Sequence, residues 1–315
     1  MIQEQKIAVV VPCYNEATQI RRVLQTMPAE VDRVYVIDDA SQDETVQIAR
    51  DCLTRDSRIK LILHDINQGV GGAIATGYQA ALAEGIDVAV VMAGDGQMDP
   101  ADFSAIVAPV LNDGYDYAKG NRLFSGEAWV MIPRVRYLGN AMLSLMTKIA
   151  SGYWHIADSQ SGYTAISRRG LEAIDWNQMY KRYGQPNDLL VRLNVAEMRV
   201  TDVPIRPVYG IGEQSGIRPL RMIPRLSWLI TRLFFYRMLR KYVIQDFHPL
   251  LFFYTLGLLL FPPGVLFGCY LLGLRLFVGP IAETSALFAA FLTIMGLQFL
   301  LFAMLFDLEN NRHLK

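Results

Sequence analysis

The stretch IAVVVPCYNEA, residues 7–17, joins a continuous apolar run to an abrupt change to polar residues. A second run of the same kind, VAVVM at residues 88–92, leads into GDGQMDP at residues 94–100. Continuous apolar runs of this length are typical of strands buried on both faces, as in parallel sheets covered by helices. Ligands of such sheets bind beyond the carboxyl ends of the strands, where both polar segments are expected to lie.

Short β-branched runs alternate with helical patterns through the rest of the first 120 residues. Strands are predicted at residues 7–11, 33–37, 59–63, 88–92 and 115–119, and helices are predicted to begin near Thr18, Asp43, Gly71 and Ala101. Further helices are predicted at residues 134–151 and 188–198, and further strands at 162–166 and 200–203. This alternation predicts an α/β fold with a doubly wound, mostly parallel sheet.

Two apolar stretches without charged residues, 250–274 and 284–306, close the sequence. Each is long enough to cross a bilayer as a helix, which takes about 20 residues. Pro262, Pro263 and Gly264 are expected to kink the first helix. A pair of buried core helices is the alternative, but the length and the freedom from charge favour two transmembrane helices.

A basic segment precedes the first apolar stretch. No acidic residue lies between Glu213 and Asp246, whereas the basic residues there are Arg218, Arg221, Arg225, Arg232, Arg237, Arg240 and Lys241. Aromatic residues interleave with them, which favours a juxtamembrane helix at the membrane surface, broken by Pro219 and Pro224, over a fully solvated helix face. Because the hairpin between the spans carries only one basic residue, the positive-inside rule predicts a multi-pass protein of the cytoplasmic membrane with both termini cytoplasmic.

The overall composition excludes several classes of protein. The formal net charge of zero gives no argument for nucleic-acid binding. Three dispersed cysteines support neither a disulfide framework nor a zinc site, and the N-terminal apolar run is too short for a signal peptide. We therefore expect a cytoplasmic domain over residues 1–215, a basic juxtamembrane segment over 216–247 and a transmembrane hairpin with a short tail over 248–315.

An acidic pair, Asp38 and Asp39, ends the second predicted strand within IDDASQDET. Adjacent carboxylates repel each other unless they meet a positive group or a hydrogen-bond donor, such as a nucleobase N–H or a ribose hydroxyl. Capping of the following helix is the alternative role for the pair.

A carboxylate and an amide, Asp95 and Gln97, stand two residues apart after the fourth strand, beside glycines. This spacing lets two oxygen ligands face the same side. Magnesium and manganese are commonly held by one or two such protein oxygens together with substrate phosphates. The sequence therefore predicts a divalent metal, Mg or Mn, at this position.

Five motifs occur in a fixed order along the chain: PCYNE, IDDASQDET, NQGVGGAIATGY, GDGQMDP and DSQSGYTAISR. In this order they are similar to the motifs of family 2 glycosyltransferases, and most closely to the dolichyl- and polyprenyl-phosphate sugar synthases. The resemblance covers essentially the whole chain. It implies a cytoplasmic GT-A domain followed by two C-terminal membrane helices, a nucleotide-sugar donor and a polyprenyl phosphate acceptor.

The resemblance implies roles on the donor side. Pro12, Tyr14 and Glu16 would line the nucleotide pocket, Asp38 would contact the base, and Asp39 stands beside it. Asp95 and Gln97 would hold the metal on the donor diphosphate. The family often has Asp-x-Asp at the metal motif, and Ala93 takes the first position here. Arg218, in SGIR, stands where many relatives carry a Ser-Lys pair and could supply a cation to the diphosphate.

The resemblance also implies roles on the acceptor side. Arg122, in KGNRL, would meet the lipid phosphate, and Asp158, in ADSQSGY, would lie where acceptor and sugar meet. Ser159 and Gln160 would complete that wall.

The chemistry supports the same kind of site. A lipid phosphate is already an anion and needs no strong general base, but two anionic substrates need cations to hold them together. Arg134 and Arg136 lie in a suitable stretch, with a solvated helix surface as their alternative role. In-line attack would invert the anomeric centre.

These considerations predict an inverting, membrane-anchored glycosyltransferase that moves a hexose to polyprenyl phosphate, with UDP-glucose as the first candidate donor and GDP-mannose as the second. A processive polysaccharide synthase is the enzymatic alternative, but the sequence lacks a QxxRW motif. A non-catalytic membrane scaffold is the other alternative, and the retention of Asp95, Gln97, Asp158 and Arg122 argues against it. Association of such anchors into a homo-oligomer stays open.

Overall fold

The computed structural model describes residues 5–124, 134–206, 208 and 219–315, and within them seven strands form one sheet in the order β3-β2-β1-β4-β6-β5-β7. The strands are β1 Ile7–Cys13, β2 Arg33–Asp38, β3 Ile59–Leu63, β4 Val88–Val91, β5 Tyr117–Asn121, β6 Thr164–Ser167 and β7 Val200–Pro204. Strands β1 to β4 are parallel, β6 runs antiparallel to both β4 and β5, and β7 is parallel to β5. The predicted doubly wound, mostly parallel sheet is confirmed.

Helices connect the strands and extend beyond them. In the sheet-bearing part they are α1 Ile20–Gln25, α2 Thr45–Leu53, α3 Val70–Ala83, α4 Phe103–Asn112, α5 Arg134–Ser151, α6 Arg168–Ala173 and α7 Gln185–Val195. Towards the C-terminus follow α8 Pro219–Leu239, which continues as a π-helical turn Arg240–Gln245, then α9 Leu250–Phe277 and α10 Glu283–Asn310.

The core confirms that the sheet is covered on both faces. Successive side chains of a strand point to opposite faces. Accordingly, Ala8 and Val10 belong to one cluster of buried hydrophobic residues, and Val9 and Val11 to another. Because neither face of the central strands meets water, their sequence is continuously apolar rather than alternating.

The chain divides into two compact units, residues 1–234 with 314–315, and residues 235–313. The first unit contains the sheet. The second contains α9 and α10, each of 28 residues and each long and apolar enough to cross a membrane. Most of their side chains are exposed, as expected for surfaces that would face lipid.

Small residues bring α9 and α10 close together. An added Cβ at Gly296 would lie 2.3 Å from the backbone nitrogen of Phe261, and one at Gly264 would lie 2.7 Å from that of Thr293. Ala289, Gly296 and Ala303 are buried and recur every seven residues along α10. Such small-residue seams let backbones approach closely where no water drives association.

The prolines interrupt the helices less than the sequence suggests. Pro219 begins α8, where its missing N–H costs nothing, and the helix continues through Pro224, which corrects the expectation that this segment is broken there. Helix α9 also continues through Pro262 and Pro263, and the expected kink at these residues stays a prediction.

A polar network lies buried inside the second unit. Arg237 and Asp307 are both 0% exposed and form an ion pair, with Nη1 to Oδ1 at 2.7 Å and Nη2 to Oδ2 at 2.9 Å. The hydroxyl of Tyr242 donates to Asp307 at 2.7 Å, and Lys241 donates to the Asn311 side chain at 2.8 Å. The network therefore joins the turn before α9 to the end of α10.

Candidate active site

The carboxyl ends of β1, β2 and β4 lie side by side. Cys13 of β1 is paired with Asp38 of β2, and the Gly94 amide donates to the Pro12 carbonyl at 3.1 Å. The parallel order of these strands therefore brings the predicted donor-side motifs to one edge of the sheet, as expected for an open α/β fold.

Asp38 presents an unsatisfied acceptor at this edge. The side chain is only 2% exposed, and its Oδ2 accepts a hydrogen bond from the Ser41 amide at 3.0 Å. Its buried Oδ1 has no hydrogen-bond partner among the described residues. A buried acceptor without a donor costs free energy, so this oxygen suits a ligand that brings an N–H or O–H group.

Asp39, in contrast, is engaged within the protein. Its carboxylate accepts from the amides of Gln68 at 2.8 Å and Gly69 at 2.7 Å, and it contacts His64 Nδ1 at 2.8 Å. The second ring nitrogen of His64 lies 3.0 Å from the Thr76 hydroxyl. Asp39 thus holds the glycine-rich loop before α3, and its expected contact with substrate stays a prediction.

The turn after β1 is fastened to the turn after β2. Asn15 adopts the left-handed φ of 57°, donates from its amide to Ser41 Oγ at 2.9 Å, and accepts from the Gln42 amide at 2.8 Å. A non-glycine residue in this conformation is uncommon and marks a turn held by its surroundings. Tyr14 in the same turn is 44% exposed, where it is available to stack on a ligand.

Glu16 follows in that turn, and its pKa is affected by burial and by the charge of Asp95. Burial, together with the nearby carboxylates of Asp95 and Asp43, raises the pKa of Glu16 to about 7. Two carboxylates held close enough to repel are an arrangement that a cation relieves.

The loop after β4 is shaped by its own short-range contacts. Asp95 Oδ1 accepts from the backbone N–H of Gln97 at 3.0 Å, and Gly96 between them has a φ of 72°. Across the residues that the structure describes, no three His, Cys, Asp or Glu side chains gather into a metal cluster. The oxygen donors Asp95, Gln97 and Glu16 nevertheless fit a hard divalent cation that takes its remaining ligands from a diphosphate and water.

Asp158 and Arg122 form a buried ion pair. Arg122 donates to the Asp158 carboxylate from Nε at 2.8 Å, from Nη2 at 3.2 Å and from its amide at 3.2 Å. Asp158 is 0% exposed and Arg122 22%. Burial alone would raise the pKa of Asp158, but Arg122 and the nearby Lys119 outweigh it and hold that pKa below its usual value. Asp158 is therefore a carboxylate at neutral pH and has no proton to give.

Ser159 and Gln160 continue from Asp158 into a polar wall. Ser159 Oγ lies 3.1 Å from Ser144 Oγ of α5. The Gln160 amide nitrogen donates to Ser159 Oγ at 2.6 Å and to Asn187 Oδ1 of α7 at 2.8 Å. The loop that carries Asp158 is thus braced by two helices.

The Asp95 loop and the Asp158 loop meet. The Tyr163 hydroxyl donates to the Asp99 carbonyl at 3.2 Å, and an added Cβ on Gly162 would lie 3.0 Å from Met98 Cε. The predicted metal motif and the predicted acceptor motif, more than 60 residues apart in sequence, therefore lie against each other.

The remaining predicted arginines are placed less centrally. Arg134 is exposed at the first position of α5. The side chain of Arg136 and the whole of Arg218 lie outside the described residues. Their roles stay predictions.

Two charged residues in the strands next to the Asp158 loop were not predicted from the sequence. Lys119 of β5 is 0% exposed, and Asp202 of β7 is its register partner. The available signal was a lysine inside a predicted strand, a position where an unpaired charge is costly.

Comparison with known proteins shows which family this chain resembles. The family model described as glycosyl transferase family 2 matches residues 8–175. The UDP-N-acetylglucosamine–dolichyl-phosphate N-acetylglucosaminyltransferase of Methanococcus voltae is 30% identical over 216 residues, which are 64% of this chain and 86% of that protein. The undecaprenyl-phosphate mannosyltransferase of Micrococcus luteus is 29% identical over 217 residues, 67% of this chain and 88% of that protein.

A solved structure shares the fold. Glucosyl-3-phosphoglycerate synthase from Mycobacterium tuberculosis, in complex with UDP, superposes with a TM-score of 0.54 at 20% identity, covering 74% of this chain and 80% of that one. The expected GT-A fold is confirmed by this likeness.

Proposed function

Because this chain belongs to glycosyl transferase family 2, we propose that it transfers a hexose from a nucleotide sugar to polyprenyl phosphate at the cytoplasmic face of a membrane, with inversion at the anomeric carbon. The resemblance read from the five motifs is confirmed at the level of the family. Its relatives that act on dolichyl, undecaprenyl and polyprenol phosphates support the acceptor, and the two apolar helices support the membrane location.

One observation carries the proposal: the contact between the Asp95 loop and the Asp158 loop. A donor whose base meets Asp38 and whose diphosphate lies near Asp95 would present its sugar towards Asp158. The ionised Asp158 would stabilise positive charge that develops on the sugar ring, and Arg122, which has donors enough for two anions, would bridge Asp158 and the acceptor phosphate.

The proposed transfer needs no general base. An oxygen of the lipid phosphate forms the new bond to the anomeric carbon while the bond from that carbon to the diphosphate oxygen breaks. A phosphate oxygen is already anionic, so no proton has to be removed.

We further propose that Asp95 and Gln97, with Glu16 close by, hold a Mg or Mn ion. Such a metal would supply a positive charge to the departing diphosphate. Burial and, after it, the nearby Asp95 raise the pKa of Glu16, and this second carboxylate would offset the absence of the usual carboxylate at Ala93.

The donor is proposed to be UDP-glucose, with GDP-mannose second; the relatives add UDP-N-acetylglucosamine to the comparison. Purified full-length protein would be incubated with a short polyprenyl phosphate and each donor in turn. The lipid product would be identified by mass spectrometry and its anomeric configuration by NMR. The unphosphorylated prenol is the control acceptor. Asp158→Asn is the control enzyme, and it should make less than about 1% of the product, a loss that removal of one charged group from a desolvated site commonly causes.

Formation of a glycosyl phosphoprenol with inverted configuration would support the proposal. Donor hydrolysis alone, transfer to the unphosphorylated prenol, or elongation of a polysaccharide would contradict it.

A further inference from the structure

The loop that carries Asp158 is fastened at both ends by side chains of the neighbouring strands. At its start, the Ala157 amide donates to Asp202 Oδ2 at 2.6 Å. At its end, the Lys119 ammonium donates to the Ser161 carbonyl. Asp158 lies between these two anchors.

The sheet register places the two anchors together. Lys119 of β5 is the Cα partner of Asp202 in the parallel strand β7, so the two side chains leave the same face of the sheet. Asn121, two residues further along β5, donates to the same Asp202 oxygen at 3.1 Å. The base of the loop therefore carries one buried positive side chain, Lys119, and one partly buried negative side chain, Asp202.

Burial works against both charges. It lowers the pKa of Lys119 to about 8, although the Asp158 and Asp202 carboxylates act to keep the ammonium charged and Arg122 acts against it. It raises the pKa of Asp202 to about 6, against the Ala157 amide, Lys119 and Lys148 of α5, while Asp158 adds to the rise. Asp202 Oδ1 is buried, and no described residue gives it a hydrogen bond.

We propose that Lys119 and Asp202 are positioning residues that act as a charged pair to fix both ends of the 157–161 loop and thereby aim Asp158 at the reacting centre. The role given to Asp158 rests on the proposed function, whereas the anchoring of the loop does not.

Both anchors carry their charge only within a limited range of pH. Above about pH 8 Lys119 loses its proton and with it the charge-assisted bond to Ser161. Below about pH 6 Asp202 gains a proton and becomes a weaker acceptor for Ala157. Since each charge supports the other, removal of the Asp202 charge lowers the pKa of Lys119 further.

The first test is the pH dependence of kcat. For Asp202→Asn, which keeps the shape and an acceptor oxygen, the alkaline fall of kcat should move to lower pH by about one unit. Lys119→Arg stays charged, so its kcat should show no alkaline fall up to pH 10. The matched control is Asp116→Asn. Asp116 is a buried carboxylate immediately before the start of β5 and accepts from the Arg199 amide, and the alkaline fall of kcat should stay in place in this variant.

The second test does not use the reaction. Hydrogen exchange of the peptide covering residues 157–161 should accelerate about tenfold or more in Asp202→Ala, because the Ala157 amide loses its acceptor. Asp116→Ala serves as the control for general loosening.

The two readouts separate the two ideas. If the wild-type protein transfers no sugar to polyprenyl phosphate but Asp202→Ala loosens the loop, the proposed function fails and the anchoring stands. If transfer is normal and the alkaline limb of Asp202→Asn does not move, or if the loop exchanges at the wild-type rate in Asp202→Ala, the positioning role is overturned.

Discussion

Removal of the Arg122 guanidinium should leave the Asp158 carboxylate buried with much of its charge uncompensated. Asp158 is 0% exposed, and Arg122 supplies two of its side-chain hydrogen bonds, at 2.8 and 3.2 Å. Breaking a buried ion pair by deleting one partner costs about 3–5 kcal/mol. At roughly 2–4 °C per kcal/mol for a unit of this size, Arg122→Ala should lower the Tm by roughly 6–20 °C.

The double variant Arg122→Ala/Asp158→Asn distinguishes this explanation from a simple loss of packing. With both charges gone, no uncompensated carboxylate is left, so the double variant should be more stable than Arg122→Ala by about 2 kcal/mol. All four tryptophans precede residue 235, so their fluorescence during heating of the full-length protein in detergent reports the first unit. Transfer should fall at least about a hundredfold in both variants, since each disturbs the Asp158 site.

Arg168→Ala is the control for that experiment. Arg168 pairs with Glu172, and both side chains are at least half exposed, so its loss should change the Tm little and leave transfer unchanged. Additive losses in the double variant, or an Arg122→Ala protein with the Tm of the wild type, would refute the reasoning.

Three other outcomes are expected. Asp95→Asn should weaken equilibrium Mn²⁺ binding, measured by electron paramagnetic resonance in the presence of donor nucleotide, by about tenfold or more; unchanged binding would remove Asp95 from the metal site. A reporter fused after Lys315 should be cytoplasmic and one inserted at residues 278–283 should be external; the reverse labelling would refute the orientation. Gly296→Leu should force α9 and α10 apart, because an ordinary contact distance exceeds the 2.3 Å available to its Cβ; Gly268→Leu, which has open space, is the control, and equal loss of helical circular dichroism on heating in the two variants would count against the seam.

The strands could be predicted well because their signal is local. A strand buried on both faces needs apolar residues throughout, and IAVVV and VAVVM state this directly. The expected break at Pro219 ignored position, because a proline in the first turn of a helix removes no bond that would otherwise form. Pro224 lies inside α8, and the helix continues through it.

Site residues could be predicted where the residue type alone indicates the chemistry. They could not be predicted where the role depends on which other residues the side chain contacts. Asp38 and Asp39 are adjacent and identical in type, yet one has an unsatisfied oxygen and the other holds a loop. Lys119 and Asp202 lie 83 positions apart, and only the register of β5 with β7 brings them together. No local pattern carries that information.

The buried pair of Arg237 and Asp307 sets an order of events during synthesis. Arg237 precedes the hairpin and Asp307 lies 70 residues later, near the end of the second helix, so Arg237 leaves the ribosome long before its counter-ion exists. Until α10 is complete, this guanidinium needs water, because an unpaired charge cannot enter an apolar interior. Arg237 and Asp307 can therefore pair only after nearly all of α10 has been synthesised.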